Sequence, residues 1–204
     1  MRRAFKRTGL ALLAGLALYG AFFAYQTLRP RDLALALPEA AEPGDVVLMR
    51  SHTWRAELVR VIDGVPYRDG WSHVGLVHDR DADGAWRIVH AVPGEGGTVR
   101  LERWPSVARG GGISAVRLLR ADALEASARE RLVALQADAA ARAVPFDGAF
   151  DHHDDAELYC TELVTDLYAK AGLPVVPDAV MRKRAIFPGH LVASPVLSPV
   201  ESGT

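Results

Sequence analysis

The sequence contains a single cysteine, Cys160, among 204 residues. One thiol excludes an intrachain disulfide and any metal site built from several cysteines. An excess of charge of one sign is also missing, because 24 Lys and Arg residues face 25 Asp and Glu residues and leave a net charge of −1 at pH 7. A chain without a basic excess has no electrostatic footprint for nucleic acid. We therefore predict no nucleic-acid partner, no metal and no cofactor.

Long uncharged runs are equally scarce, and the one that stands out extends from Gly9 to Leu28. Its 20 residues suffice for an α-helix to span the hydrocarbon core of a bilayer. Four Lys or Arg residues precede it within positions 1–8, so the positive-inside rule predicts a cytoplasmic N-terminus and an exported body. The run ends in bulky residues instead of a small-x-small cleavage site. This favours an uncleaved anchor over the alternative, a cleaved signal peptide.

The chain is expected to divide into a few segments around that run. We predict a basic cytoplasmic tail at 1–8, a transmembrane anchor at 9–28, a proline-marked linker at 29–42, one folded domain at 43–199 and a short tail at 200–204. Usage rich in Ala and Arg is typical of a bacterium. The expected location is therefore the bacterial cytoplasmic (inner) membrane, with a single pass and the domain facing the periplasm or the cell exterior.

Apolar runs and turn residues predict an α+β domain. Strands are predicted at 46–49, 71–78, 86–91, 98–101 and 113–118, and an Asp83-Gly84 turn should join the second and third in an antiparallel hairpin. Helices are predicted at about 52–62 and 123–143, the latter opened by an Asp122-x-x-Glu125 capping box. The segment 188–199 is expected to cover an edge of the sheet.

Cys160 falls at the start of a further predicted helix. Residues 163, 164, 167, 168 and 171 form one apolar stripe, and Gly172 and Pro174 provide the stop. Unpaired N–H groups in the first turn of a helix favour negative charge, so the position predicts a reactive cysteine with a lowered pKa. The alternative is a small buried hydrophobic residue.

Histidine is the side chain best suited to exchange a proton with a cysteine nucleophile near neutral pH. His73 and His90 lie on the two strands of the predicted hairpin, toward the ends remote from its turn, where they can be cross-strand or diagonal neighbours. Gly75, on the face of His73, leaves room for a backbone or a substrate. The pair His152-His153 is predicted to lie in a solvated loop instead, because adjacent residues do not converge on one metal ion.

Four blocks of the sequence carry a resemblance to a known family. They are residues 44–47, 71–77, 88–91 and 159–164, which read GDVV, WSHVGLV, IVHA and YCTELV. In these blocks the chain resembles the YiiX/YebB-like permuted papain-fold cysteine hydrolases, a branch of the NlpC-type cysteine peptidase superfamily that is similar in layout to lecithin retinol acyltransferases. The resemblance covers residues 44–197. It implies a circularly permuted papain-like fold, with an antiparallel sheet packed against helices and the catalytic histidine ahead of the cysteine.

The resemblance also implies roles for individual residues. Cys160 would be the nucleophile and a backbone oxyanion donor, His73 the base, and His90 the polar residue that orients the base. Substrate contacts are predicted for residues close to them in sequence or in the same loop, namely Trp71, Ser72, Tyr159 and Asp147.

The implied function is a cysteine peptidase or amidase that acts through a thioester, with cell-wall peptide amides as substrates. Two alternatives stay open. One is an acyl hydrolase or acyltransferase for lipids or lipoproteins at the same Cys-His site. The other is a non-catalytic binding module of the cell envelope.

Overall fold

The structure is a computed structural model that describes residues 20, 35–51, 70–94, 96–153 and 156–201. The predicted anchor at 9–28, apart from Gly20, and the predicted helix at 52–62 lie outside these residues. Within them, no helix is both long and apolar enough to cross a bilayer. The chain divides into two units, residues 1–32 and 33–204, and the description that follows concerns the second.

One six-stranded antiparallel sheet forms the centre of this unit, with strand order β4-β3-β2-β1-β5-β6. Its strands are Val46–Ser51 (β1), His73–Arg80 (β2), Trp86–Ala91 (β3), Val99–Arg103 (β4), Ile113–Arg120 (β5) and Ser198–Pro199 (β6). The five strands predicted from the sequence and the β2–β3 hairpin are confirmed. The tail also behaves as predicted, because β6 pairs with the edge of β5.

The helices differ from prediction in several places. They are Trp104–Gly110 (α1), Ala126–Ala141 (α2), Cys160–Lys170 (α3), Asp178–Met181 (α4) and Pro188–Val192 (α5). The sequence did not predict α1, α4 or α5, and α2 begins differently. The helix α1 is only seven residues long and too short to show a clear apolar period. The capping box predicted for α2 is wrong, because Leu124 N–H closes a turn on the Ala121 carbonyl and Glu125, without a side-chain cap, precedes the helix.

Alternating residues of the strands build two hydrophobic clusters, one on each face of the sheet. The larger lies under α2 and α3 and includes Val46, Leu48, Val74, Leu76, Val89, Ala91 and Leu119. The smaller lies under α1 and residues 35–41 and includes Val47, Met49, Val77, Ile88 and Leu118. Leu37 and Ala41 are buried in it, so the end of the predicted linker belongs to the folded body.

The helix α3 packs along the larger cluster, from the start of β2 at its N-terminal end to the start of β1 at its C-terminal end. Its apolar stripe buries Leu163, Val164 and Leu167, each to 3 % exposure or less, and each such side chain contributes about 1.5–3 kcal/mol. At its C-terminal end the Tyr168 hydroxyl donates to the Gly44 carbonyl at 2.7 Å, just before β1. Because the helix is anchored along its length, Cys160 is held in a fixed place at the other end.

Candidate active site

The residue before the cysteine is fixed on both its backbone and its side chain. Tyr159 has an extended backbone with φ −92° and ψ 171°, and its N–H donates to Glu162 Oε2 at 3.3 Å in the first turn of α3. Its hydroxyl accepts the N–H of Ile186 at 2.8 Å. The start of α3, and with it the Cys160 side chain, is thereby held against the body of the protein.

The Cys160 sulfur lies at the edge of the core. The residue is 9 % exposed, and Thr161 Oγ1 lies 3.8 Å from the sulfur. Backbone N–H groups of Val74, Thr161 and Cys160 itself act to lower the pKa of the thiol. The Val74 N–H belongs to the peptide that joins His73 to Val74, so the sulfur approaches β2 directly beside the predicted base.

Burial nevertheless raises the pKa of the Cys160 thiol above its usual range. The magnitudes explain why. A helix N-terminus stabilises an anion by about 0.3–1 kcal/mol, whereas loss of water around a charged group can shift a pKa by several units of about 1.4 kcal/mol each. The prediction of a lowered pKa from the helix start alone is therefore wrong.

The two histidines of the hairpin contact each other as predicted. His73 Nε2 and His90 Nδ1 lie 2.9 Å apart, and the ring centroids are 5.2 Å apart with planes inclined at 73°. Leu76 pairs with Val89 across β2 and β3, which sets His90 opposite Gly75 and diagonal to His73. A Cβ at Gly75 would lie only 2.8 Å from the Val89 carbonyl oxygen and 3.1 Å from His90 Cβ. The glycine therefore permits the close approach of β3.

A carboxylate that the sequence analysis did not identify continues this chain of contacts. Glu102 Oε2 lies 2.9 Å from His90 Nε2. On β4, Arg100 pairs with His90 and Glu102 with Ile88, so Glu102 is diagonal to His90 on the same face. The hydrogen bond from His90 lowers the pKa of Glu102, and Arg100 adds to this shift. The sequence carries little signal for this contact, because the predicted strand 98–101 ended one residue before Glu102 and the contact depends on the β3–β4 register.

His73 is uncharged at physiological pH because it is buried. Burial lowers the pKa of His73 from its ordinary value of 6.5 to about 3, and His90 adds to this effect. Cys160 and His73 therefore rest as a neutral thiol and a neutral imidazole at physiological pH. Among the described residues, no hydrogen bond occupies His73 Nδ1, so this nitrogen has a lone pair or a proton to offer.

Two predicted substrate contacts, Ser72 and Trp71, support the sheet in this structure. The Ser72 hydroxyl accepts the Ser51 N–H at 2.9 Å and joins β1 to the start of β2. Trp71 is 4 % exposed and has the guanidinium carbons of Arg50 and Arg117 at 5.4 and 5.3 Å from its ring. Their contacts with a substrate stay predictions.

The other two predicted contacts, Asp147 and Tyr159, are also engaged within the protein. Asp147 accepts the N–H groups of Ala149 and Asp151, both at 2.6 Å. These bonds hold Phe150 at φ 54°, a left-handed conformation that is rare for a bulky residue, with its ring centroid 5.4 Å from that of Tyr159. The loop before α3 is therefore built around Asp147.

His152, in the same loop, is not solvated as the sequence predicted. Its two ring nitrogens lie 3.1 Å from the Arg184 carbonyl oxygen and 2.5 Å from that of Met181. The side chain joins this loop to the segment after α4. His153 is exposed, as predicted.

Comparison with known proteins agrees with this geometry. Residues 40–193 match a family described as permuted papain-like amidase enzymes, YaeF/YiiX, C92 family. Among solved structures, the chain is similar to the crystal structure of the metalloprotein YiiX from Escherichia coli O157:H7, DUF1105. The TM-score is 0.59 at 15 % identity, with 79 % of this chain and 97 % of that chain covered, a likeness that shows the fold. A comparison with curated proteins gives no match. The predicted permuted papain-like α+β fold is confirmed.

Proposed function

This chain belongs to the permuted papain-like amidase family and is a cysteine hydrolase of the peptidase or amidase type, and on that premise we propose how it acts and where. The proposed enzyme is anchored in the cytoplasmic membrane, faces the cell envelope and cleaves amide bonds in cell-wall peptides. Cys160 is its nucleophile, His73 its base and His90 the residue that orients the base. Its family excludes the alternative of a non-catalytic binding module.

One observation carries the proposal for the chemistry. The Cys160 sulfur lies against the peptide that joins His73 to Val74, and the His73 ring is tied through Nε2 to His90. Nucleophile and base thus meet at the end of one strand. A cysteine buried only as a core residue would not need a hydrogen-bonded pair of histidines beside it.

The neutral resting pair suits general-base catalysis at the moment of attack. His73 Nδ1 accepts the thiol proton while the sulfur bonds to the substrate carbonyl carbon, and the oxygen becomes an oxyanion. Backbone N–H groups of Cys160 and Thr161, at the start of α3, face that negative charge. The His73 imidazolium then gives its proton to the leaving amine, and a thioester remains on Cys160. Water, deprotonated by His73, releases the acid and restores the thiol.

The described residues offer no convergent set of metal ligands. YiiX from Escherichia coli O157:H7 is a metalloprotein by description. Across the described part of this chain, no group of three or more His, Cys, Asp or Glu side chains is arranged to hold a metal ion.

A specific observation also favours a second substrate class. The rings of Phe146, Phe150 and Tyr159 form a chain of contacts with centroid distances of 6.0 and 5.4 Å, and Tyr159 directly precedes the nucleophile. Phe146 and Phe150 are half-buried. Such an apolar surface suits a fatty acyl group, so a lipid or lipoprotein acyl hydrolase or acyltransferase is the alternative.

Substrate screening with a matched variant tests the chemistry. Purified full-length protein in mild detergent is given isolated cell-wall peptide fragments, a diacylated lipopeptide and phospholipid vesicles, and released amines and fatty acids are measured. We expect new amino groups from the wall peptides, and none from the Cys160→Ala variant. Fatty acid release without new amines would favour the alternative. Full activity in Cys160→Ala would overturn both.

The proposed location rests on the 20-residue uncharged run and its basic flank. An alkaline phosphatase fused after Thr204 should be active, because that enzyme requires export. The protein should also fractionate with membranes and keep its N-terminus. A soluble mature form that begins near Gln26 would instead indicate a cleaved signal peptide.

A further inference from the structure

We propose that Glu102 is a positioning residue of this site, and that its carboxylate fixes the tautomers of His90 and then of His73, so that His73 Nδ1 faces the thiol as a proton acceptor. The inference rests on the proposed roles of Cys160 and His73. It adds a fourth residue, on β4, that touches neither the sulfur nor the substrate. Family membership does not assign it.

The assignment follows from where each ring proton must lie. An ionised carboxylate can only accept a hydrogen bond, so the 2.9 Å contact between Glu102 Oε2 and His90 Nε2 requires a proton on that nitrogen. A neutral imidazole has one N–H, so His90 Nδ1 carries a lone pair. That lone pair lies 2.9 Å from His73 Nε2, which must therefore carry the proton of the second ring. His73 Nδ1 is left as the acceptor.

The opposite set of tautomers would disable the base. In it, His90 Nε2 would turn a lone pair toward the Glu102 carboxylate, with two acceptors 2.9 Å apart and no proton between them. His90 Nδ1–H would donate to His73 Nε2, and His73 Nδ1 would carry a proton instead of accepting one. Without a carboxylate at position 102, no contact in this chain favours one set of histidine tautomers over the other.

The same carboxylate also acts on the charge that forms during the reaction. When His73 accepts the thiol proton it becomes an imidazolium, in surroundings that disfavour its positive charge. Glu102 supplies a negative charge two hydrogen bonds away, through His90. The hydrogen bond from His90 lowers the pKa of Glu102, and the charge of Arg100 adds to this shift, so both favour the ionised carboxylate. The competing account is that Glu102, whose side chain is 36 % exposed, only stabilises the sheet by an ordinary ion pair.

Isosteric replacement separates these accounts. The full chain, in mild detergent, is acylated with p-nitrophenyl acetate, and p-nitrophenol release is followed from pH 5 to 9. ¹⁵N NMR of histidine-labelled protein reports the tautomer of each ring. We expect Glu102→Gln to slow acylation about 10- to 100-fold, by analogy with the loss of a carboxylate that orients a metal-binding histidine through its second ring nitrogen. We also expect His90 to lose its pure Nε2–H form, and Glu102→Asp to recover part of the rate.

Asp79→Asn is the matched control. Asp79 makes a cross-strand ion pair with Arg87 on the β2–β3 hairpin, so its loss reports what a sheet ion pair contributes. This variant should keep the acylation rate and both tautomers.

Each other outcome is decisive. Unchanged acylation in Glu102→Gln overturns the inference, and so does slower acylation with unchanged histidine tautomers, which would indicate a structural role. The Cys160→Ala variant keeps this failure distinct from failure of the proposed function. If Cys160→Ala is inert while Glu102→Gln is normal, only the role of Glu102 is lost.

Discussion

Two networks of charged and polar side chains lie at opposite ends of the same sheet, and they are built differently. At the start of β1, Asp45 is fully buried and receives two hydrogen bonds from Arg120, at 2.8 and 2.7 Å. At the start of β2, His73 contacts His90, and His90 contacts Glu102. The first network is an ion pair, whereas the second joins two imidazole rings to one carboxylate.

The Asp45 network is closed, in the sense that both carboxylate oxygens accept hydrogen bonds within the protein. Besides Arg120, its carboxylate accepts the Glu42 N–H at 2.9 Å, and Arg120 also reaches Glu42 and the Ala40 carbonyl. The ion pair with Asp45 raises the pKa of Arg120, so the guanidinium keeps its charge. A saturated network of this kind fixes the entry of the chain into β1.

The His73 network is open, in the sense that one of its ring nitrogens has no partner among the described residues. Its contacts account for His73 Nε2 and both nitrogens of His90, and no described residue forms a hydrogen bond with His73 Nδ1. Burial also keeps His73 neutral at physiological pH, so this ring can accept a proton during the reaction. The comparison teaches that burial alone does not mark a functional polar cluster. The distinguishing feature here is a ring nitrogen without a hydrogen bond to any described residue, on the histidine that directly precedes the Val74 N–H at the sulfur of the proposed nucleophile.

The largest expected effect comes from breaking the open network. His73→Ala removes the base, and general-base transfer is typically worth about 10²- to 10⁴-fold in rate. We expect acylation by p-nitrophenyl acetate to fall by that order while the thermal unfolding temperature stays near that of the parent protein. The exposed His153→Ala is the control and should keep its rate. A His73→Ala rate within twofold of the parent would remove His73 from the mechanism.

Breaking the closed network should affect stability instead. Asp45→Ala leaves Arg120 without its buried partner, and loss of one member of a buried ion pair typically destabilises by about 3–5 kcal/mol. Urea unfolding measures this change. Asp138→Ala, which removes an exposed pair with Arg142, should have little effect. Acylation per folded molecule should not change in either variant, and a selective loss of acylation in Asp45→Ala would contradict the division into two networks.

The smallest effect should appear as a pH dependence of stability. The pKa of His73 is 6.5 in its ordinary state and about 3 in the folded protein. Between these values the unfolded chain binds a proton that the folded protein does not, so stability falls as the pH falls, by at most about 1.4 kcal/mol per pH unit. His73→Gln should flatten this part of the urea-midpoint profile between pH 6.5 and 4. An equally steep profile in His73→Gln would show that His73 titrates normally.

The parts predicted from sequence are those specified by nearby residues. The β2–β3 hairpin follows from alternation and the Asp83-Gly84 turn, and the helix after Cys160 follows from one apolar stripe. These patterns alone predict that His73 and His90 are neighbours. The diagonal contact and the role of Gly75 needed only the pairing of two strands joined by a short turn.

The parts that were missed depend on tertiary structure. Glu102 contacts His90 because β3 and β4 pair in one particular register. A loop containing Gly94, Gly96 and Gly97 joins these strands, and no local sequence pattern specifies their register. The raised pKa of Cys160 comes from the packing of α3 on the sheet, while the sequence shows only the helix start. The role of Ser72 within the protein depends in the same way on the Ser51 N–H, which the fold brings to it. Asp147 differs, because the N–H groups that it accepts belong to its own loop, two and four residues along the chain.

The most direct test of the central claim is to locate the acyl group after reaction with p-nitrophenyl acetate. Peptide mass spectrometry of the quenched full-length protein identifies the acylated residue, and parallel quenching times give its rate of formation. The account predicts a hydroxylamine-sensitive thioester on Cys160, formed rapidly in the parent protein and far more slowly in His73→Ala. Acylation of another residue, or equal rates on Cys160 in the two proteins, would contradict a Cys160–His73 catalytic unit.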